Sequence, residues 1–410
     1  MSWTSRTESS APVDATGGAG RSPTWWAGID AARGLALIGL MSVQFLPVHD
    51  PRTQAPTWTN LLFPEASAAL FTLLAGVGLA LGSGGRFPHE GRWLAADRAG
   101  VAARAVLIAV VGLGIGALMP EDAPADNILI YCGLYFVLAI PFLHLSATAL
   151  FVCAAVFWMV GPVLMQALTD VLPAHSSSHL SWADVVEEPG GTVSQLLVTG
   201  TYPALSYMTC LLVGLGVGRV HLRDTGIQVR LLAVGAGLVV LARTADTFGP
   251  YAFGGHGRVL TTSGTGADEL GEVLVKGSDS LPTGTARWLA VSTPPTDTVW
   301  AIAAGLGVAL LVLGSFMLVS RKSSGAWLLR LSAMGAMALS LYTAHLVALS
   351  CEGGYDLPVI GFILHLGAAV LFAVGWPRAL GEGPLERVLS AGEEATRRTV
   401  LHWHRRFHRT

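Results

Sequence analysis

Charged residues are scarce in this sequence of 410 residues. Asp, Glu, Lys and Arg together make up 13%, residues from the set AVILMFWYC make up 52%, and the mean hydropathy is +0.56. A soluble domain carries about 25% charge because its surface must be hydrated. The deficit excludes a soluble enzyme, and the high hydrophobicity excludes disorder for the bulk of the chain. The net charge of −2 gives no argument for nucleic acid as a partner. The composition is that of a polytopic membrane protein.

Several sequence features of soluble enzymes are also missing. Four cysteines cannot form a dense disulfide framework. The chain contains no Walker motif, no zinc-spaced Cys/His set and no Gly-x-Ser-x-Gly elbow, so neither ATP nor a metal is expected. Glycines at 112/114/116 and 214/216/218 lie inside apolar runs. This context favours close helix packing over a dinucleotide site, which needs a preceding strand.

Apolar runs near the length that crosses a bilayer, about 20 residues, occur ten times. They lie at 28–47, 61–83, 101–119, 127–145, 147–168, 200–219, 228–248, 298–320, 331–350 and 356–377. The expected fold class is therefore all-α, a transmembrane helix bundle of about ten spans. With the N-terminus inside, the cytoplasmic segments hold nineteen Lys and Arg and the outer segments four. Positive charge concentrates on the cytoplasmic side, so we predict a multi-pass protein of the cytoplasmic (inner) membrane with both termini cytoplasmic.

The expected organisation has three parts. Residues 1–26, rich in Ser, Gly, Ala and Thr, form a flexible cytoplasmic tail, residues 27–378 the membrane domain, and residues 379–410 a basic cytoplasmic tail. Two long outer loops, 169–199 and 249–297, are expected as solvated connectors, with a cap over an extracytoplasmic cleft as the alternative. From Ala391 onward we expect a short amphipathic helix attracted to anionic lipid headgroups rather than to nucleic acid, because a membrane span lies so close.

Ionisable residues inside apolar spans are costly and therefore candidates for function. Asp30 and Arg33 in the first span are three residues apart and can pair on one helix face. The same spacing recurs at Arg243 and Asp246, and in both cases a purely structural neutral pair is the alternative. Glu65 lies one turn inside the second span, where a carboxylate needs a cationic partner. These groups line a polar pocket or pair among themselves.

Polar residues also gather at the predicted outer ends of two spans. Gln44 lies near the end of the first span, and His49 follows in the loop beside Asp50. An imidazole there can act as a general base, although a lone loop histidine is more often merely solvated. Tyr342 and His345 share one face of the ninth span, which suits a polar pocket or, alternatively, an interfacial tyrosine anchor. His365 lies at mid-depth in the tenth span.

The first predicted span contains the motif D-x-x-R-G-x-A as Asp30-Ala31-Ala32-Arg33-Gly34-Leu35-Ala36. This motif resembles the opening of the heparan-α-glucosaminide N-acetyltransferase-like family, part of the transmembrane acyltransferase superfamily, and in particular of its branch of uncharacterised bacterial inner-membrane proteins. Further similarity lies at Phe63-Pro64, at 69–76, at 199–205, at 334–345 and at 383–386. The resemblance covers about residues 26–390 through separate motifs in matching order.

The resemblance implies a ten- or eleven-helix acyltransferase. Such an enzyme takes acetyl-CoA as co-substrate from the cytoplasm and passes the acetyl group to an amine or hydroxyl of a sugar-like acceptor on the other side. His49 occupies the place of the family's active histidine, and Gln44 that of a polar amide in the animal enzymes. On this basis His49 is the base and Gln44 the donor to the developing oxyanion. Cations for the CoA phosphates are expected from Arg86, Arg92, Arg98 and Arg104.

Two departures from the family pattern keep other functions open. Many bacterial members have His at the position of Gln44, and Pro-His-Ser-Gly-Thr where this chain reads Pro294-Pro295-Thr296-Asp297-Thr298. The alternatives are a transporter of a small polar solute, with Asp30, Arg33, Glu65 and Arg243 along its path, and a catalytically inactive membrane scaffold. The expected partners are the lipid bilayer, the acyl donor and a glycan, lipid or small-molecule acceptor, with a homodimer left open.

Overall fold

The computed structural model describes residues 24–46, 64–120, 123, 125–169, 171–173, 179–252, 298–322, 325–351 and 357–407. These residues form fourteen α-helices, and no strand occurs among them. In the first half of the chain the helices are α1 Thr24–Phe45, α2 Pro64–Gly82, α3 Gly91–Gly116, α4 Ile128–Ala139, α5 Ala147–Thr169, α6 Trp182–Glu187 and α7 Pro189–Ser194. In the second half they are α8 Ala204–Gly218, α9 Thr225–Ala252, α10 Val299–Lys322, α11 Ala326–Ala336, α12 Ala338–Cys351, α13 Pro358–Leu380 and α14 Pro384–Phe407.

The all-helical membrane class predicted from the sequence is confirmed. Six helices (α1, α3, α5, α9, α10 and α13) are by themselves long and apolar enough to cross a membrane, and the number is eight if each of two bent pairs counts as one span. Two shorter apolar stretches, Ala66–Gly82 and Ile128–Phe142, lie over the remaining predicted spans. Each of the ten predicted apolar runs therefore overlaps a helix, while the orientation of the termini stays a prediction.

The ninth apolar run is broken rather than continuous. The sequence predicts one helix over 331–350, but the axes of α11 and α12 differ by 74° across Met337. The carboxylate of Glu386 accepts hydrogen bonds from the backbone N–H of Ser340, at 3.0 Å, and from its hydroxyl. The Ser340 hydroxyl in turn accepts from the N–H of Leu385, at 3.0 Å. Contacts from the first turn of α14, which hydropathy does not reveal, therefore hold the start of α12.

Glycines allow two helix pairs to pack with their backbones in close approach. A Cβ built on Gly335 of α11 would overlap the carbonyl oxygen of Asp30 in α1. A Cβ on Gly214 of α8 would overlap the carbonyl oxygen of Leu73 in α2. Only glycine permits such distances, and close approach maximises dispersion contacts where no hydrophobic effect drives helix association. This confirms the packing interpretation of Gly214 in the second glycine set.

The described part of the first outer loop packs on the bundle. Leu180 is buried with Leu113 and Ile130, and a Cβ on Gly116 of α3 would overlap the carbonyl oxygen of Leu180. A π-helical turn, Gln195–Thr199, follows α7 and meets α8 at a bend of 56°. Residues 179–199 therefore contain helices that contact the bundle, while their role as a connector or as a cap over a cleft stays a prediction. Of the second loop, residues 253–297 lie outside the described residues.

The C-terminal tail is a helix of 24 residues that packs along α3. Arg397 of α14 forms a salt bridge of 2.7 Å with the buried carboxylate of Asp97 in α3. The same carboxylate lies 2.7 Å from His89 Nδ1, and Arg397 donates to the carbonyl oxygen of Gly82 at 3.3 Å. The amphipathic helix expected from Ala391 onward begins earlier, at Pro384, and its polar side is engaged by the protein rather than by lipid headgroups alone.

Arg219, at the end of α8, holds several loops together. Its guanidinium is buried, with 3% of the residue exposed. It donates to the carbonyl oxygens of Ala80, Ser83, Gly85 and Leu143 at 2.6–3.2 Å and to the Ser83 hydroxyl at 3.0 Å. From the sequence, Arg219 is only one of the nineteen cytoplasmic Lys and Arg residues that indicate the orientation in the membrane. Its contacts tie the end of α2 to the turn after α4.

We expect Arg219→Met to lower the free energy of unfolding by about 3 kcal/mol, because buried acceptors lose a charged donor and stay without water. Thermal unfolding of the purified protein in detergent measures the effect. The matched control is Arg330→Met, an exposed arginine on α11, which should change stability by no more than about 0.5 kcal/mol. An Arg219→Met protein that melts with the wild type would show that the loops do not depend on this guanidinium.

Candidate active site

A buried polar network lies at the end of α1 and joins helices far apart in the sequence. The Gln44 side chain is 7% exposed, His345 4% and Tyr342 0%. The Gln44 Nε2 donates to the Tyr342 hydroxyl at 3.1 Å and to the backbone oxygen of Asp126 at 3.2 Å. The Tyr342 hydroxyl donates to the same backbone oxygen at 2.8 Å. We call Gln44, Asp126, Tyr342, His345 and His365 the Gln44 network.

The hydrogen bonds of the network fix the tautomers of two histidines. The Gln44 Oε1, which can only accept, lies 2.7 Å from His345 Nε2, so this nitrogen carries the hydrogen. In the neutral ring, Nδ1 of His345 is then the acceptor, and it lies 2.8 Å from Nδ1 of His365, which must donate. Phe45 packs against both rings, with centroid distances of 5.6 and 4.9 Å. A polar chain thus runs from His365 through His345 and Gln44 to Tyr342.

Asp126 contributes both its backbone and its carboxyl group. It lies in the connection between α3 and α4, beside the N-cap Asn127. Burial raises the pKa of its carboxyl, while the hydrogen bond that Thr201 Oγ1 donates at 3.1 Å acts in the opposite direction. A carboxyl with a raised pKa takes up protons more readily at moderately acidic pH. The network thus contacts the backbone oxygen of a loop residue, and the titratable carboxyl of that residue bonds to Thr201 instead.

A cavity of about 420 Å³ is lined by residues of α1, α2, α3, α4, α11, α12 and α14. Its polar lining residues are Arg33 of α1, Arg104 of α3 and Glu386 of α14, and most of the remaining lining is apolar. We call it the arginine cavity. Its volume falls in the range of small-molecule sites, about 300–1,000 Å³.

Both arginines of the cavity have carboxylate partners. Arg33 forms a 3.0 Å salt bridge with Asp30, as the spacing in the sequence predicts. Arg104 lies 3.5 Å from Glu393 of α14, and its Nε has no hydrogen-bond partner among the residues that the structure describes. Paired guanidinium groups around an apolar cavity can bind a phosphate by exchanging a carboxylate for it. The cavity fits a ligand with a phosphorylated end and a less polar arm.

The arginine cavity and the Gln44 network approach each other along two helices. Leu129 of α4 lines the cavity and lies three residues from Asp126. Ala338 of α12 also lines it and lies four residues from Tyr342. Ala338 and Tyr342 are one helical turn apart, roughly 6 Å along the axis of α12, and Asp126 lies two residues before the start of α4. A ligand arm at the deep end of the cavity would thus lie close to the network.

The remaining candidate residues predicted from the sequence are not part of the Gln44 network. His49 lies outside the described residues, and so does the side chain of Glu65, whose backbone is in the first turn of α2. Arg243 is exposed on α9 and does not line the cavity, and the side chain of Asp246 is outside the described set. The structure thus joins Gln44, Tyr342 and His345, and places Asp30 and Arg33 elsewhere, at the cavity.

Of the four arginines expected at a donor site, Arg104 lines the cavity. Arg86 donates to Nδ1 of His221 at 3.0 Å, and Arg92 lies over the Trp93 ring at 5.6 Å. Arg98 is half-buried on α3 and does not line the cavity. A role of Arg86, Arg92 and Arg98 in binding the CoA phosphates stays a prediction.

Sequence reasoning missed three acidic groups of this region. Asp126 lies in a short loop, and Glu386 and Glu393 lie in what reads as a cytoplasmic tail. The motif Gly383-Pro384-Leu385-Glu386 could have drawn attention to Glu386. Nothing in the sequence pairs Glu393 with Arg104, because that contact depends on how α14 lies along α3. Among the described residues, no His/Cys/Asp/Glu group is arranged to hold a metal.

The fold and these two sites define a polytopic helical membrane protein with a buried polar network beside an arginine-lined cavity. A family model for the catalytic region of heparan-alpha-glucosaminide N-acetyltransferase matches residues 26–245, more than half of the chain. The chain therefore belongs to this family. The match contains Gln44, Asp126, Arg33 and Arg104, whereas Tyr342, His345 and His365 lie beyond it. A comparison with curated proteins finds no match.

Proposed function

We propose that this protein transfers the acetyl group of acetyl-CoA, bound in the arginine cavity, to an amine or hydroxyl of a sugar-like acceptor at the Gln44 network. The observation that carries the proposal is that Ala338, which lines the cavity, lies one helical turn from Tyr342 of the network on α12. The family supports a membrane acetyltransferase-like function. The donor, the acceptor class and the residue roles are our proposal.

Donor binding follows from the chemistry of the cavity. CoA has a polyanionic nucleotide end and a flexible pantetheine arm that ends in the thioester. Arg104 and Arg33 supply cations, and exchange of Glu393 for a phosphate lets Arg104 keep an anionic partner. The apolar lining formed by Phe71, Leu129 and Phe136 suits the arm. The thioester would then lie at the deep end.

The transfer step needs a base and a donor for the oxyanion. As the acceptor nitrogen or oxygen attacks the thioester carbonyl, His49 takes the acceptor's proton, the C–S bond breaks, and the thiolate of CoA leaves and is protonated. His49 follows the last residue of α1 by four residues, so covalent geometry keeps its Cα within about 14 Å of that of Phe45. A separation of this size is compatible with a role for His49 at the network.

Gln44 would stabilise the developing oxyanion by exchanging one hydrogen bond. Both of its N–H groups are engaged, and the longer bond, 3.2 Å, goes to the Asp126 carbonyl. That carbonyl keeps the bond from the Tyr342 hydroxyl at 2.8 Å if Gln44 turns away. His345 holds the amide oxygen in place. The exchange therefore leaves no buried group without a partner.

A transporter is the second candidate, because broken helices occur in both halves of the chain, at 189–218 and 326–351. Unwound breaks are typical of transporter binding sites. The two breaks are not in extensive contact with each other, since α8 and α12 do not pack together. Uptake of labelled sugars or amines into proteoliposomes, without acetyl-CoA, would favour this function.

The test of the proposed function is acetyl transfer by the purified protein in nanodiscs. Labelled acetyl-CoA is incubated with hexosamines or glycan extracts, and transfer is followed together with donor binding by calorimetry. Saturable CoA binding and donor-dependent labelling of an acceptor are expected. Binding without any transfer would favour an inactive scaffold, and an absence of CoA binding at any concentration would overturn the proposal.

We expect Arg104→Gln to weaken CoA binding about tenfold, the effect of losing about 1.4 kcal/mol from one charged phosphate contact. Calorimetry with CoA measures it, and Arg330→Gln, an exposed arginine elsewhere, is the matched control. A truncated donor without phosphates, S-acetylpantetheine, should be turned over equally by the wild type and Arg104→Gln. Equal losses with both donors would show that Arg104 supports the fold rather than the phosphates.

A further inference from the structure

A second cavity lies on a different face of the bundle and takes no part in the proposed chemistry. Its volume is about 490 Å³, and it is formed by one face each of α5, α8, α9 and α10. The lining residues of α9 are Ile227, Arg230, Leu231, Val234 and Leu238, which share one helix face. We call this space the lateral cleft.

The lateral cleft opens between two helix pairs. Helix α5 packs on α8, and α9 packs on α10, whereas α5 and α9 make no extensive contact. The indole N–H of Trp158 on α5 donates to the backbone oxygen of Val299 at the start of α10, at 2.7 Å. This bond links the two pairs. The cleft is therefore a wedge between α5 and α9, two helices whose apolar faces are largely uncovered by protein.

The dimensions of the cleft match one leaflet of a bilayer. From Ile227 to Leu238, the α9 residues that line it extend over eleven positions, about 16 Å at the helical rise. A bilayer hydrocarbon core is about 30 Å thick. The cleft thus runs from the interface to about the midplane. Its polar lining consists of Arg230 and Thr209, whose buried hydroxyl has no hydrogen-bond partner in the described part of the chain.

The charge at the mouth of the cleft selects the headgroup. Arg230 is exposed on the first turns of α9, and no carboxylate among the described residues pairs with it. The nearest acidic residue in the sequence, Asp224, accepts from the N–H of Gly226 at the start of the same helix. A free guanidinium at the predicted cytoplasmic interface attracts anionic lipid, and its long stem reaches the headgroup region.

We propose that the lateral cleft binds one acyl chain of an anionic phospholipid from the predicted cytoplasmic leaflet, with the lipid phosphate at Arg230. The acyl chain fills the space that apolar side chains from four helices leave open, and the lipid phosphate is the counterion of Arg230. None of the residues that line the cleft belongs to the Gln44 network. The lipid proposal therefore does not depend on the proposed acetyl transfer. A helix of a second copy is the competing occupant.

Photo-crosslinking in nanodiscs tests the proposal. The probe is a phosphatidylglycerol with a diazirine near the end of one acyl chain, diluted into phosphatidylcholine, and labelled peptides are mapped by mass spectrometry. Labels are expected on α5 and α9 around Trp158 and Leu238, several-fold above other lipid-facing helices. Even labelling of all apolar faces would overturn the proposal, as would crosslinks in the cleft between two protein copies.

Two substitutions test binding of the acyl chain and binding of the lipid headgroup separately. Ala155→Trp fills the cleft and should abolish its labelling, whereas Val160→Trp, at an exposed position of α5 outside the lining, should not. Arg230→Gln should reduce labelling by the phosphatidylglycerol probe about fivefold and leave labelling by a phosphatidylcholine probe unchanged. Equal labelling of wild type and Arg230→Gln by the anionic probe would overturn the headgroup assignment. Each variant is first compared with the wild type by thermal unfolding.

Discussion

Replacement of His49 by Ala is expected to lower the rate of acetyl transfer by about 10²–10⁴-fold, the usual contribution of a general base. The acceptor's proton would then have to leave to water as its nitrogen or oxygen attacks the thioester. Binding of CoA should stay unchanged, since the cations proposed to hold its phosphates line the arginine cavity. Steady-state transfer and donor calorimetry on the same preparation measure both quantities.

The control for this substitution is His144→Ala, an exposed histidine in the connection between α4 and α5, which should retain full activity. Added imidazole should partly restore the His49→Ala enzyme, because a free base can enter the space left by the side chain. Wild-type activity in His49→Ala would remove the histidine from the mechanism. Loss of CoA binding together with activity would instead indicate a damaged fold.

The Gln44→Leu enzyme is expected to lose about 10²–10³-fold in kcat, the cost of removing one oxyanion donor. Leucine also leaves the N–H of His345 without its acceptor at 2.7 Å and removes a donor to the Tyr342 hydroxyl. The KM for acetyl-CoA should change little, because the lost interaction forms mainly in the transition state. Kinetics at saturating donor and acceptor measure kcat.

Two further variants locate the effect at the amide donor. Gln44→Glu keeps an acceptor for His345 but lacks the N–H donors, and it should be as inactive as Gln44→Leu. Ser42→Ala removes a buried hydroxyl of the same helix that bonds only locally, to the carbonyl oxygen of Gly39 at 2.7 Å, and it should be fully active. A Gln44→Glu enzyme with normal kcat would show that Gln44 only holds His345 in place.

The local partners in the candidate site were predictable, but the partners from distant helices were not. The Asp30–Arg33 pair follows from a spacing of three on a helix, and it forms at 3.0 Å. The common face of Tyr342 and His345 also follows from helical spacing. Their contact with Gln44, about 300 positions away in the sequence, depends on the rotation of α1 and α12 about their axes. Hydropathy in a uniformly apolar span does not specify that rotation.

The C-terminal helix shows the same division. Its amphipathic character is visible in the sequence, and a basic surface so close to a span points to lipid headgroups. The structure places Glu386 and Glu393 of this helix beside Ser340 and Arg104. The positions of acidic residues in a mostly basic helix do not indicate which residues of other helices they contact. The break at Met337 was unpredictable for the same reason, since its anchor comes from α14.

The sequence by itself determined the membrane class, the approximate positions of the apolar helices and the family, because these depend on composition, segment length and local motifs. Ten apolar runs and a deficit of charge leave few alternatives to a helix bundle in lipid. The tertiary structure alone decided which polar groups meet: Gln44 with His345 and Tyr342, Arg104 with Glu393, and Arg219 with four backbone carbonyls. Such contacts are set by how helices are rotated and how closely glycines let them approach, and those quantities arise only when all segments pack together.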